Sequence, residues 1–197
     1  MDSRRKIGSS ESIIGLDGET VGDFWAWAYS DLLSNTIRPL FAEYLVGRCL
    51  DAVDRPRVEW DHVDFIYEGK KIEVKSAGYI QTWSQNAPSL IIFDISPKEK
   101  PWIAESNTFG PRGRSADCYV LCVHTDLDRA ACLVNDVNRW DFYVIPAHSI
   151  TETFREQKKV RLSRICKLCL PVKYADLKRA IETVIAAGPT QVSASAT

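Results

Sequence analysis

The sequence predicts an α/β fold in which helices flank a central mixed β-sheet. Apolar residues recur at helical spacing near both ends of the chain, whereas from residue 58 to about residue 145 they alternate or cluster in short runs. A length of 197 residues with 45% hydrophobic side chains is enough for one sizeable core. One fold and one site are therefore expected.

Residues 1–19 read as a flexible start, charged and rich in serine. A first helix is expected over residues 20–33, with Phe24, Trp25, Ala28 and Leu32 on one stripe and Asp23 near the positive end of the dipole. Asn35 and Thr36 interrupt it. A second helix over residues 37–52 gathers Leu40, Phe41, Tyr44, Leu45 and Cys49 on one side and tolerates Pro39 in its first turn. Residues 62–76 read as a two-stranded hairpin turning around Glu68, Gly69 and Lys70, and further strands are expected at residues 90–95, 118–124 and 142–145. Residues 96–115, with Pro97, Pro101, Gly110, Pro111 and Gly113, form a long irregular stretch of a kind that often carries function in a compact domain. A last helix over residues 174–187 places Tyr174, Leu177, Ile181, Val184 and Ile185 on one stripe and ends at Gly188 and Pro189. The small polar residues 189–197 read as a disordered tail, which sets the folded domain at residues 20–188.

With 25 basic and 26 acidic residues the formal net charge is −1, so a nucleic-acid surface has to be a local patch. No apolar run reaches the ~18 residues of a membrane span, and the charged start lacks the apolar stretch of a secretory leader, so a cytoplasmic protein with no membrane partner is expected. Among the six cysteines, Cys49, Cys118, Cys122 and Cys132 are scattered through apolar segments and read as small, buried, reduced thiols. Cys166 and Cys169 make a lone CxxC, with Cys166 expected to face the core, and no second pair completes a zinc site. The three histidines, His62, His124 and His148, are dispersed and lack metal spacing.

Chemistry gathers in the hairpin. With an even turn, Tyr67 falls across from Ile72, Phe65 from Val74 and Val63 from Ser76, giving one mostly apolar face. The other face carries Asp64, Glu68, Lys71, Glu73 and Lys75, with Ile66 the exception, whereas an odd turn mixes the two sets. In the even register Asp64 lies across from Lys75, with Cβ atoms roughly 5 Å apart, and diagonal to Glu73 at roughly 7 Å. Two carboxylates within reach of one ion suit magnesium, which is usually held by one or two carboxylates and keeps several waters. A solvated strand face with cross-strand charge pairs has the same spacing. What distinguishes this ExK is its place in the second strand of a hairpin, after two helices and before further strands. Neither Glu73 nor Lys75 is expected to belong to the core.

Asp64 on one strand and Glu73-Val74-Lys75 on the next resemble the acid and (D/E)xK of the PD-(D/E)XK nuclease superfamily, and the order of elements over residues 41–95 is similar to its restriction-endonuclease-like core. Val63 stands where a proline often precedes the first acid, a position at which the superfamily frequently lacks it. Asp61 is the rival first acid, because a bulge after Trp60 turns it inward. The resemblance implies that Asp64 and Glu73, with the carbonyl of Val74, hold Mg2+, for which Mn2+ can substitute. It also implies that Lys75 orients or helps deprotonate the attacking water during in-line phosphodiester cleavage. DNA is the implied substrate, in a restriction, defence or repair role, and a homodimer is the implied assembly because many duplex-cutting members act in pairs. Residues 76–85 are also similar to a segment of uncharacterised bacterial members. If this segment curls into a helix over the site, Gln81 and Gln85 reach phosphate or a metal-bound water, while Tyr79 and Trp83 either stack on bases or pack in the core. Glu43 resembles the helix acid that some members aim at the metal, although a glutamate at the edge of an apolar stripe is more often simply solvated.

Beyond the motif, Lys98, Lys100, Arg112 and Arg114 in the irregular stretch, and Lys158, Lys159, Arg161, Arg164 and Lys167 later, are candidates to neutralise phosphates. Arg112 and Arg114 are expected to contact substrate beside the cleft. The alternative function is a non-catalytic nucleic-acid-binding or assembly subunit on the same fold, against which the intact Asp64, Glu73 and Lys75 argue. No phosphate-cradling glycine loop, nucleophile elbow or HExxH offers a different chemistry.

Overall fold

A computed structural model of the chain describes residues 5–59, 61–103 and 106–187. Two helices, α1 (Val21–Tyr29) and α2 (Ile37–Cys49), lead into the hairpin β1 (Phe65–Tyr67) and β2 (Lys70–Gly78). There follow β3 (Ile92–Asp94), a small hairpin of β4 (Trp102–Ile103) and β5 (Thr108–Phe109), then β6 (Cys118–His124) and β7 (Trp140–Pro146). The chain closes with α3 (Ala147–Phe154), β8 (Lys159–Arg161), α4 (Leu162–Ile165) and α5 (Tyr174–Ala187). The main sheet has four strands in the order β1-β2-β6-β7; β2 and β6 run parallel while the outer pairs are antiparallel, so the sheet is mixed.

All seven residues of β6 are buried. That explains its unbroken apolar run, because both faces of a central strand are covered. Strand alternation sends Ile72, Val74, Cys118, Val120, Cys122, Phe142 and Val144 to one face, where α2 and the Leu177, Ile181 and Ile185 stripe of α5 cover them. Ala77, Tyr119, Leu121, Val123, Tyr143 and Ile145 face the other way, against Phe93 of β3, Ile150 and Phe154 of α3, Val160 of β8 and Ile165 of α4. Burying a side chain of this size contributes about 1.5–3 kcal/mol, so these two layers hold the sheet between them.

Several expectations need correction. The hairpin turn is even, but it has only two residues, Glu68 and Gly69, both left-handed at φ 50° and 74°. This is the two-residue geometry that matches strand twist, and it pairs Phe65 with Ile72 and Tyr67 with Lys70, two residues from the register read in the sequence, in which Tyr67 faces Ile72 and Asp64 faces Lys75. The first helix stops at Tyr29, before Leu32, and buries none of its residues; Phe24 and Trp25 are exposed. Its start is secured by a capping box between Thr20 and Asp23. In α2 the buried side is Arg38, Ala42, Leu45 and Val46, while Tyr44 points to solvent. The irregular stretch contains the β4–β5 hairpin, in which Trp102 and Phe109 stack edge to face at 5.1 Å. β3 pairs with β8 rather than joining the main sheet. Cys166 is exposed, because the short α4 gives the core position to Ile165. No cysteine is in a disulfide. Among the described residues no helix is long and apolar enough to cross a membrane. The expected stop at Gly188 and Pro189 and the tail at 189–197 lie outside the described residues.

Candidate active site

Because β1 pairs with β2 only as far as Ile72, the rest of β2 has no strand on that side among the described residues, and the open edge forms one wall of a cleft of about 710 Å³. Asp64 precedes the paired segment. Its N–H donates to the Ile72 carbonyl at 3.1 Å, and its Oδ2 accepts the Val74 N–H at 2.6 Å where a strand carbonyl would otherwise stand. A strand residue directs its N–H and C=O to the same side, so the Val74 carbonyl also faces this open edge.

Glu73 is 4% exposed, which overturns the expectation that it lies clear of the core. A buried carboxylate needs partners. Glu73 has one cation on each oxygen, Lys75 Nζ at 2.5 Å from Oε1 and Lys98 Nζ at 3.1 Å from Oε2. Lys98 also donates to the His62 carbonyl at 2.7 Å, which fixes the start of the 96–115 stretch across the cleft. Burial opposes the charge on Lys75, but Glu73, followed by Asp64 and Asp94, holds its ammonium above the ordinary lysine range. For Asp64, burial acts together with the carboxylates of Glu73 and Glu43 and pushes the group up to about 7, against the pull of the Val74 N–H and Lys75.

Glu43 belongs to the same cleft and is not simply solvated; both of its oxygens engage Arg57, and its side chain is 12% exposed. Asp61 lines the cleft as well, but its Oδ1 takes the backbone N–H of His62 and lies 2.6 Å from His62 Nδ1, which turns it toward its neighbour. The structure thus brings Asp64, Glu73, Val74 and Lys75 together and adds Lys98 and Glu43. Lys98 had no signal in the sequence beyond being one basic residue of a long loop.

The other expected contacts resolve differently. Residues 79–89 do not curl into a helix. Gln81 is buried, donates to the Gly78 carbonyl and accepts from Arg38, while Gln85 accepts the Gln81 N–H and donates to Tyr79 O and Ser89 Oγ. Their amides satisfy the backbone of a loop with no ladder of its own, so they shape the cleft wall. Tyr79 packs against the second core, whereas Trp83 is exposed at the cleft. Arg112 is tied to Glu99 and Glu156, and Arg114 donates to the carbonyls of Ile95 and Gln157; neither lines the cleft. Arg114 fastens the long stretch to the turn before β8. Arg114→Ala is expected to cost about 1–3 kcal/mol by leaving those carbonyls without a donor. Urea unfolding checks this, and an unchanged midpoint would show the two bonds to be dispensable.

With this geometry in view, the chain was compared with protein-family models, curated proteins and solved structures. None of the three comparisons returns a match. The functional reading therefore rests on the residues themselves.

Proposed function

We propose that the protein is a metal-dependent endonuclease of the PD-(D/E)XK kind, hydrolysing DNA phosphodiester bonds on a restriction-endonuclease-like core. The observation that carries this reading is the convergence of Asp64, Glu73 and Lys75 on the open edge of β2, with the charged groups facing a cleft instead of bulk solvent. A solvated charge face has no need to bury Glu73.

The donor set fits magnesium. Asp64, Glu73 and the Val74 carbonyl are all oxygen donors, as a hard cation requires. The carboxylates stand close enough for Glu73 to help push Asp64 up to about 7, and a bound cation relieves such repulsion. Once bound, the ion supplies a Lewis acid for a phosphate oxygen and lowers the pKa of a coordinated water. The chain's own residues do the rest. Asp64, held by the Val74 N–H, keeps its free oxygen on the open edge. Lys75 stays charged in a half-buried setting and stabilises the negative charge that builds on the phosphate. Lys98, on the opposite wall, neutralises a phosphate of the incoming strand.

Incubation of the purified chain with duplex DNA, single-stranded DNA and RNA in Mg2+ or Mn2+ tests this. DNA cleavage that stops on chelation is expected. Binding without cleavage of any substrate would move the assignment to a non-catalytic subunit.

A further inference from the structure

His124 ends β6 beside Gly78 and is fully buried, yet neither of its ring nitrogens makes a well-formed hydrogen bond; the Leu133 backbone and the Asp126 carboxylate are its loose polar neighbours. Buried polar atoms are satisfied in the great majority of cases, so an imidazole held this loosely calls for an explanation. Its Nε2 faces Asp126, 3.5 Å from Oδ2, and the Cys132 thiol completes a group whose ligand atoms all lie within 4.8 Å of one another. We propose that His124, Asp126 and Cys132 form a zinc-binding site, with solvent in the fourth position, distinct from the oxygen-donor site on β2.

The donor chemistry selects the ion. An imidazole nitrogen, a thiolate and one carboxylate oxygen are the ligands zinc takes, at about 2.0–2.3 Å, whereas magnesium takes oxygens alone. Closing three atoms from their present spacing onto one ion needs a shift of only about 1 Å in a surface loop. The surroundings are already arranged for such a site. Asp126 Oδ2 accepts the Leu133 N–H at 2.9 Å and Oδ1 accepts from Arg139 at 2.8 Å, the kind of outer contacts that orient a ligating carboxylate. Charge also balances, since thiolate and carboxylate offset the ion, and Arg139 has a second counter-charge in Asp136 at 3.4 Å. Of the other nearby cations, Arg38 is turned to the Leu33 carbonyl and Gln81, and Arg129 to backbone carbonyls at residues 81 and 83. Trp140 packs its ring against His124 at 5.3 Å, and Thr125 closes the base of the loop on the Arg139 carbonyl.

The site sits on the opposite sheet face from Glu73 and Lys75. Lys75 pairs with Leu121, three residues before His124, so the two centres are about 10 Å apart along the sheet. Arg129, in the same loop, donates to the carbonyls of Gln81 and Trp83 in the cleft wall. A bound zinc ion thus clasps the loop to the end of β6 and steadies that wall.

Cobalt(II) titration of the full chain, stripped of metal and fully reduced, tests the proposal. A thiolate-to-cobalt charge-transfer band is expected, saturating at a single equivalent and abolished by added Zn2+. Cys132→Ser, with its fold checked by circular dichroism, should lose the band. Cys166→Ser and Glu73→Gln should keep it, which separates this site from the CxxC and from the proposed nuclease centre. A band that is absent in the parent chain, survives Cys132→Ser, or disappears in Cys166→Ser overturns the assignment.

Discussion

Lys75→Ala is expected to lower metal-dependent DNA cleavage by about 10²- to 10³-fold, the size of effect seen when one donor to a developing oxyanion is removed. Mn2+ affinity should not fall, because an ammonium is not a ligand. Glu73→Gln is expected to lose both cleavage and tight Mn2+ binding, since it removes a ligand's charge and takes from Lys75 and Lys98 the carboxylate that both of them contact. Glutamine is the cleaner replacement than alanine, because Glu73 is buried and a truncated side chain would leave a gap as well as an imbalance. Lys98→Ala separates the lysines by role. It frees Glu73 Oε2, so Mn2+ should bind more tightly, while the salt dependence of DNA binding becomes shallower by about one phosphate contact. Calorimetric Mn2+ titration beside initial cleavage rates reads all three variants. Wild-type rates in Lys75→Ala would remove the lysine from the chemistry.

The legible parts of the fold were those set by local chemistry. The α5 stripe and the apolar run of β6 follow from period and burial, and each spans the segment its pattern marks, whereas β2 starts at Lys70, runs on to Gly78 and buries Glu73 between Ile72 and Val74. The hairpin's parity was readable because an odd turn would mix apolar and charged faces, but parity leaves even turns of different length indistinguishable. What selects the two-residue turn is the ability of Glu68 and Gly69 to adopt positive φ, a weaker signal with glutamate than with asparagine in the first position. Close packing settles the rest: at Gly47 a Cβ would come within 2.6 Å of Val53 and 2.8 Å of Phe65, so α2 approaches β1 too closely for a larger residue. Long-range partners were not legible. Lys98 reaches Glu73 across 25 residues, His124 meets Cys132 only because the loop folds back, and Arg114 is absorbed by carbonyls that no spacing announces. The aromatic stripe of α1 failed for a related reason, since period shows which residues share a face but not whether anything covers that face.

Asp64→Asn is expected to stabilise the metal-free protein at pH 8 and to leave it unchanged near pH 4. In the unfolded chain an aspartate gives up its proton near ~3.9, whereas in the folded protein burial and the Glu73 and Glu43 carboxylates push Asp64 up to about 7. Between these values the folded state holds a proton that unfolding releases, so stability falls as pH rises across that window and levels off above it. This is the opposite direction to a salt-bridged aspartate, whose stabilisation grows with pH. Asparagine removes the titration while its side-chain oxygen can still accept the Val74 N–H. Partial solvation and the nearby Lys75 ammonium screen the effect to on the order of 1–2 kcal/mol, roughly 2–8 °C in thermal midpoint for a chain of this size. Thermal melts in chelator from pH 4 to pH 8 measure it as the difference between variant and wild type, which cancels the other titrating groups. Adding Mn2+ at pH 8 should reverse the order, since only the wild type retains both charged ligands and gains stability by mass action. A constant difference across the pH range, or a wild type more stable than the variant at pH 8 in chelator, would mean that Asp64 is not held in a crowded carboxylate site, and the metal reading would lose its electrostatic support.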